Sequence, residues 1–474
     1  MMRLFRKCLG VTLTAVALAA CTAPHAAVDP RTLAFPTLRF EIPKSERVQL
    51  ENGMVVYLLE DHELPLVNVT AYVKTGSIYE PSAKAGLAGI TGAVIRSGGT
   101  MDIAPEQLDA ELEFMASSVE SGIGADAGNV AFTTLTKNLD RTLELFGQVL
   151  MHPAFREDRV ALVRNRTIEA LRRENDDPKG IADRELMKAL YLGHPLGRVP
   201  TIETVKGITR DDLVEFHRRF YRPGAVMLAV AGDFRRDDLL AKLRALFAEW
   251  NAAPTDLPKI SEPNLNVPPQ VLLARKELNQ SVIRMGHLGI DKGNPDLYAI
   301  RVMDYILGGG FTSRLTTEIR TNQGLAYNVG SRFDVGRSFI GAFIAETETK
   351  TGSTAKAISL MRGIIDGMTK APVTDGELKL AKESIINSFM FGFAKPDAVV
   401  NQQLRLEYYG YPAGYLENYR DKIALVGKED VLRVAKKYLH TDAMVLTVVG
   451  DDRKFDQPLS SFGEVTEIKL NSGK

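Results

Sequence analysis

Apolar residues recur along this chain in two rhythms. Val55 to Leu59 and Leu66 to Val73 alternate or run apolar as strands do. The segment between them, Glu60-Asp61-His62-Glu63-Leu64-Pro65, reads as a turn. Ala83 to Arg96 has helical spacing. Phe114 to Glu120 and Asn129 to Thr134 return to strand, joined by a Gly-rich turn, and helices are predicted over Leu139 to Met151, Asp158 to Glu174 and Ile181 to Leu192. The order then repeats, with strands at Val282 to Leu288, Leu325 to Phe333 and Phe339 to Glu346. Helices follow at Thr354 to Met368, Asp375 to Phe393 and Asp397 to Tyr409. The pattern predicts an α+β fold with mainly antiparallel sheet covered by helices.

The repetition is also legible residue by residue. His217 to Asp233, HRRFYRPGAVMLAVAGD, aligns without a gap on Ala435 to Asp451, AKKYLHTDAMVLTVVGD. Each copy reads as a helix end, a turn and a buried apolar strand closing on Gly-Asp. Upstream, Arg210-Asp211-Asp212-Leu213-Val214 matches Lys428-Glu429-Asp430-Val431-Leu432, two acidic first turns suited to a helix dipole. His194-Pro195-Leu196-Gly197 matches Tyr411-Pro412-Ala413-Gly414. Two duplicated halves are expected, at 39–251 and 270–474, joined by a Pro-rich linker at 252–269. After Phe462 the chain reads as a last short strand or an unstructured end.

Composition narrows the class. Hydrophobic residues make up 45% and charged residues 25%, ordinary for a globular protein. The 59 basic and 59 acidic residues balance, and no basic run points to nucleic acid. The N-terminus reads as a leader over residues 1–20: Arg3, Arg6 and Lys7, then an apolar stretch from Leu9 to Ala20, too short to span a bilayer comfortably. It ends at Cys21, which resembles a bacterial lipoprotein signal; a plain secretory signal with a chance cysteine is the alternative. The cysteines are Cys8 and Cys21, so cleavage before Cys21 leaves one thiol, explained as an acyl attachment point. Thr22 at the next position implies the outer membrane, facing the periplasm, with residues 21–38 as a tether.

Several segments together resemble the insulinase/pitrilysin family of inverzincin zinc peptidases, in its processing-peptidase-like branch. They are LENGMVVYLLEDHELPLVNVTAYVKTGS (Leu50 to Ser77), AGLAGITGAVIRSGGT (Ala85 to Thr100), NDDPKG (Asn175 to Gly180), HPLGR, FYRPGAVMLAVAGD and LGGGFTSRLTTEIRTNQGLAYNVGS (Leu307 to Ser331). The resemblance runs from about residue 40 to 455 and implies two α/β-roll halves, with two such chains closing around a chamber.

Active members carry His-x-x-Glu-His on the helix after Gly-Leu-Ala, two zinc ligands on one face and a general base. Here Gly89 takes the first His position, Gly92 the Glu and Ala93 the second His; the third ligand falls on Ala170. All four are hydrogen or methyl side chains. Among the seven histidines no two lie within one helical turn. Glu169, beside Ala170, reads as a solvated helix residue. No zinc is therefore expected in this chain, which should not cleave peptides alone.

In two-chain members the partner of the zinc subunit holds an Arg/Tyr pair, and the matching residues are Arg320 and Tyr327. Taken alone, Arg320 reads as a helix-dipole cation and Tyr327 as a half-buried strand tyrosine. The resemblance assigns them to substrate binding near the scissile carbonyl. Thr316 to Arg320 should end a helix, Gly324 should form a left-handed cap, and Leu325 to Val329 should return as a strand. Gly308-Gly309-Gly310 lacks the Gly-Lys-Ser/Thr ending of a phosphate loop and reads as close-approach backbone. The implied function is the non-zinc-binding subunit of a periplasmic heterodimeric endopeptidase. The zinc is expected in the partner, and peptides or unfolded proteins are the expected substrates. The alternative is an inert peptide-binding or scaffolding lipoprotein.

Overall fold

The computed structural model describes residues 40–250 and 257–470. The predicted leader, the tether, Cys21 and the start of the linker lie outside the described residues.

The first half contains β1 (Glu46–Gln49), β2 (Val55–Glu60), β3 (Leu66–Val73), α1 (Leu87–Ser97), α2 (Pro105–Phe114), β4 (Ser118–Ile123) and β5 (Gly128–Leu135). Then come α3 (Leu139–Met151), α4 (Glu157–Arg173), α5 (Pro178–Leu190), α6 (Ile202–Lys206), α7 (Arg210–Phe220), β6 (Val226–Gly232) and α8 (Arg236–Phe247). The second half starts with β7 (Gln270–Arg275), β8 (Gln280–Leu288), β9 (Ile290–Asp291), α9 (Leu297–Asp304), β10 (Ala326–Phe333), β11 (Val335–Gly336) and β12 (Ala342–Lys350). It ends with α10 (Thr354–Met368), α11 (Asp375–Phe389), α12 (Pro396–Tyr408), α13 (Tyr419–Leu425), α14 (Lys428–Tyr438), β13 (Val445–Gly450) and β14 (Val465–Glu467).

The fold is α+β, as the residue pattern predicts, with two six-stranded, mainly antiparallel sheets. Their orders are β1-β2-β6-β3-β5-β4 and β10-β12-β8-β13-β7-β14. Read from opposite ends, the two orders correspond strand for strand. The outermost strand on one side differs in origin: β1 precedes β2 and runs antiparallel to it, whereas β14 follows β13 and runs parallel to β7.

The repeated apolar strands are buried along their whole length because helices cover both faces. On one face of β6, Leu228 and Val230 join the main core of the first half. On the other, Met227, Ala229 and Ala231 meet Val400 and Leu404 of α12, a helix of the second half. The exchange is reciprocal. Ile181 and Ala182 of α5 pack on Ala274, Val282 and Val449 of the second sheet, and Leu186 and Leu190 pack on Leu272, Ile344 and Val445. Each fully buried aliphatic side chain contributes about 1.5–3 kcal/mol, so the two crossed helices tie the halves together. Polar contacts add to this: Arg284 pairs with Asp183 at 2.8 Å, and Glu407 accepts from Arg47 at 2.7 and 2.8 Å.

Several predicted elements differ, among them the strand expected over Phe339 to Glu346, which runs over Ala342–Lys350, and the helix expected to Phe393, which ends at Phe389. The helix expected from Ala83 begins at Leu87, because Gly86 sits at φ +102°, a left-handed break that separates it from the short turn Ser82–Lys84. Phe114 ends helix α2 instead of opening a strand, and the strand begins at Ser118. Pro105 at the first helical position was the overlooked start signal. The helix expected to end at Arg320 winds on to Asn322 with wide turns.

Candidate functional site

Helix α1 carries three of the four positions where zinc chemistry is expected to be lost. The Glu80 carboxylate accepts the N–H groups of Gly86 (2.9 Å) and Ala88 (2.8 Å), so an acid from outside the helix caps its N-terminus. Burial pushes the Glu80 carboxyl up, and these N–H bonds oppose that shift. Gly89 and Ala93, one turn apart, are exposed. Gly92 is buried against β4, where an added Cβ would fall on the Ile123 nitrogen and within 2.8 Å of the Gly122 carbonyl carbon. Ser121 of β4 donates its hydroxyl to Gly92 O (2.6 Å) and accepts Arg96 N–H (3.1 Å).

Ala170 is exposed on α4, which packs against α1, and neighbouring Glu169 is exposed and paired with Arg172. None of the four positions offers a metal donor, and the one that holds the general base in active members has no room for a side chain. These residues do not fit a zinc ion. Among the described residues no group of three or more His, Cys, Asp or Glu could hold a metal. His287 and His440 have rings 5.3 Å apart, but both ring nitrogens of His287 are engaged, Nδ1 with Leu288 O and Nε2 accepting His440 N–H.

The equivalent edge of the second half is built differently. After α9 the chain widens: Gly310 N–H reaches back five residues to Tyr305 O (2.9 Å), and Gln323 N–H reaches back to Glu318 O (2.9 Å). Such π turns need local compensation and concentrate at functional sites. Gly308 packs so closely on β10 that a Cβ would overlap Ser331. Gly308 is therefore close-approach backbone against strand β10, and Gly310 leaves room for the Tyr305 ring. Ser331 donates to the buried Asp304 (2.7 Å), which also accepts Phe333 N–H (3.1 Å); burial pushes that carboxyl up.

Arg320 lies in the second π turn. Gly324, at φ +59°, reverses the chain, and Leu325 N–H closes on Ile319 O at 3.0 Å. Strand β10 then starts with a bulge: Ala326 pairs with Thr349 and Val329 with Thr347, so Tyr327 and Asn328 together face one partner residue. Threonine hydroxyls satisfy the displaced carbonyls, Thr349 on Leu325 O (2.8 Å) and Thr347 on Asn328 O (3.0 Å). Strand alternation would have turned one of these side chains inward. The bulge leaves both exposed, Tyr327 at 85%. Tyr327 is thus not the half-buried strand tyrosine that periodicity alone suggests.

The Arg320 guanidinium carbon sits 4.8 Å from the Tyr327 ring centroid and 5.0 Å from that of Phe311, which is 76% exposed. Each contact is a cation–π interaction worth ~0.5–1 kcal/mol at an exposed site. Both rings hold the guanidinium in place beside Tyr327. The group borders an open recess of about 340 Å³ that Gly308 to Phe311 also line. Arg314, between the two π turns, is held bidentately by Glu377 of α11 at 2.6 and 3.0 Å, which draws the Glu377 carboxyl down to about 2. Arg320 and Tyr327 are thus brought together; Gly89, Gly92, Ala93 and Ala170 lie in the other half. Phe311 and the Arg314–Glu377 clamp were not singled out from sequence, because a lone Phe after a glycine run and a pair 63 residues apart leave no periodic signal.

Residues 55–203 match the family model described as insulinase (peptidase family M16), and residues 207–385 match the peptidase M16 inactive domain. An uncharacterised zinc protease of Mycobacterium leprae is 28% identical over 314 residues, 65% of this chain and 69% of its own. A protein of Helicobacter pylori named as a non-peptidase homolog is 22% identical over 405 residues, 83% of this chain and 91% of its own. Among solved structures, the peptidase M16 inactive domain from Pseudomonas fluorescens superposes with a TM-score of 0.79 at 26% identity, over 86% of this chain and 98% of that one. The periplasmic protease PqqL of Escherichia coli gives 0.73 at 15% identity, over 88% of this chain and 48% of that one.

Proposed function

The chain belongs to the insulinase family of peptidases, family M16, and from that premise we propose that it is the non-zinc-binding subunit of a two-chain endopeptidase. A homologous partner brings zinc, its ligands and the general base. This chain brings Arg320, Tyr327 and half of the chamber wall. The observation that carries the reading is the contrast within one molecule. The zinc helix is stripped and sealed at Gly92, while the Arg320–Tyr327 pair is assembled by a π turn and a bulge, with Tyr327 held exposed. A chain kept only as a scaffold has no need of that second construction.

The chemistry asked of this chain is limited to donors. A guanidinium edge and a phenol O–H can both donate to a carbonyl oxygen that gains negative charge as a peptide bond is attacked. Peptides and unfolded proteins are the proposed substrates. Lipidation at Cys21, with the protein held on the outer membrane facing the periplasm, completes the proposal. A Cys21→Ser variant that still fractionates with membrane at normal mature size would refute the anchor.

The deciding experiment mixes the purified chain with its zinc-bearing partner and follows peptide cleavage. Cleavage is expected from the mixture and not from this chain alone. Wild-type rates from a verified heterodimer carrying Arg320→Ala and Tyr327→Phe would leave the scaffold reading, in keeping with the relative named as a non-peptidase homolog.

A further inference from the structure

A second recess, of about 410 Å³, lies beside α12, well away from the Arg320–Tyr327 pair. The two share no lining residue. Tyr327 stands at the start of β10 and Arg337 follows its far end, roughly 20 Å along the strand at ~3.3 Å per residue. Arg337, Asn401 and Arg405 supply the polar wall, and Tyr409, Tyr411 and Tyr415 the aromatic one. Arg337 lies 5.5 Å from the Tyr409 ring centroid, and the Tyr411 and Tyr415 rings meet edge-on at 4.8 Å. Burial pushes the Tyr411 phenol up, and the positive charges of Arg337, Arg301 and Arg405 all act against that shift, so three guanidiniums converge there.

Among the described residues none of these three arginines has a carboxylate within ion-pair distance. Most other arginines of the chain are paired, including Arg284, Arg314 and Arg332. Asp126, hydrogen-bonded to Tyr409 at 3.2 Å, and the buried Asp304 are the acids nearby, and neither pairs directly with these arginines, so an anion in the recess would relieve the repulsion among them. Asn401 adds a second demand. Its Nδ2 donates to Asp397 O at 2.7 Å, which fixes the amide orientation, and its buried Oδ1 has no hydrogen-bond partner among the described residues. An orphaned buried acceptor is costly and calls for a donor.

A ligand that meets both demands carries an anionic group and an N–H close together, with an apolar part for the tyrosine wall. We propose that this recess binds the C-terminal end of a peptide. The free carboxylate lies against Arg337 and Arg405, the last peptide N–H donates to Asn401 Oδ1, and the terminal side chain rests on the tyrosines. Inorganic phosphate would satisfy the arginines but, ionised, would bring Asn401 a poorer donor and the rings nothing apolar. The site goes beyond the Arg320–Tyr327 reading and stands whether or not that reading holds.

The test uses the purified full chain in detergent and an N-terminally fluorescein-labelled hexapeptide ending in leucine, as free acid and as C-terminal amide, read by anisotropy. The free acid is expected to bind at least about tenfold more tightly than the amide, the scale of one charge-assisted contact. Arg405→Gln should remove most of that preference. Arg337→Gln, on an exposed loop, should do the same without risk to folding, whereas Arg218→Gln, an exposed charge paired with Glu215 in the first half, should leave binding unchanged. Equal binding of acid and amide, or no binding of either, would overturn the assignment. So would displacement of the peptide by inorganic phosphate at a lower concentration than by unlabelled free-acid peptide, which would make the recess a phosphate site.

Discussion

The outer edges of the two sheets solve the same packing problem and end with opposite surfaces. In each half a glycine lets a helical segment touch an edge strand directly, Gly92 on β4 and Gly308 on β10. In each, a serine of that strand ties the contact, Ser121 to Gly92 O and Ser331 to Asp304. Beyond that contact they part. The first half keeps a regular helix and strand and presents Gly89 and Ala93. The second half departs from regular geometry twice and uses both departures to present Arg320 and Tyr327. The two halves share one frame, and the proposed chemistry falls in the copy whose backbone gives up regularity.

The sharpest attempt to break this contrast is to rebuild the lost base. Gly92→Glu, in a background with His at 89 and 93, should fail to recover zinc and should destabilise the chain by about 4 kcal/mol. That sums ~3 for overpacking and at least ~1 for burying an unpartnered carboxylate. Thermal unfolding with metal analysis checks it. A stable protein with one tightly bound zinc would show that the helix–strand contact is not closed.

On the other edge, Tyr327→Phe deletes one exposed hydroxyl and keeps the ring under Arg320. Mixed with a zinc-bearing partner, this variant should lose ~10²–10³ in turnover, ~2.7–4 kcal/mol, with folding and assembly intact. Arg320→Ala should behave alike, and more of the loss should fall on turnover than on peptide binding. Steady-state kinetics of the mixed enzyme separate the two quantities.

The clamp on the second edge should be acid-sensitive. Arg314 holds Glu377 well below its ordinary value, to about 2, so the native state binds fewer protons than the unfolded chain between pH 4.5 and 2. Its stabilisation is fully present above about 4.5 and is lost as pH falls through about 2. After discounting for solvent screening it amounts to about 1–2 kcal/mol. Glu377→Gln should flatten the stability–pH curve in that window, as denaturant midpoints would show.

The smallest effect should be a gain. A Cβ at Gly89 meets nothing within 4 Å, so Gly89→Ala should add ~0.5–1 kcal/mol through helix propensity, with no loss of activity in the mixed enzyme. A loss of activity there would mean that the bare helix face itself touches substrate.

Much of this was legible in the chain. The apolar runs in HRRFYRPGAVMLAVAGD and AKKYLHTDAMVLTVVGD identified the two most buried strands, because only a strand covered on both faces can carry so unbroken a pattern. The spacing around Arg320, Gly324 and Tyr327 foretold a reversal that brings the pair together, since a left-handed glycine after a helix leaves the chain few other routes. The hydrogen or methyl side chains at Gly89, Gly92, Ala93 and Ala170 were legible as well, because residue type is read directly from the chain. Helix α2 was missed, its start marked mainly by Pro105.

What tertiary structure alone decided is of another kind. No local signal shows that α5 and α12 cross to the opposite sheet, because an apolar helix face does not name its partner. Gly92 reads as one more lost side chain until β4 is seen to occupy its place. Tyr327 alternates into a half-buried position until Thr347 and Thr349 stabilise a bulge that turns it outward. Arg301, Arg337 and Arg405, scattered over 105 residues, look like surface charges until the fold gathers them around Tyr411. Sequence sets the chemistry each position can offer and the rhythm of each element. Which groups meet, and which backbone closes on which, depends on contacts between residues far apart in the chain, and those exist only once both sheets have formed.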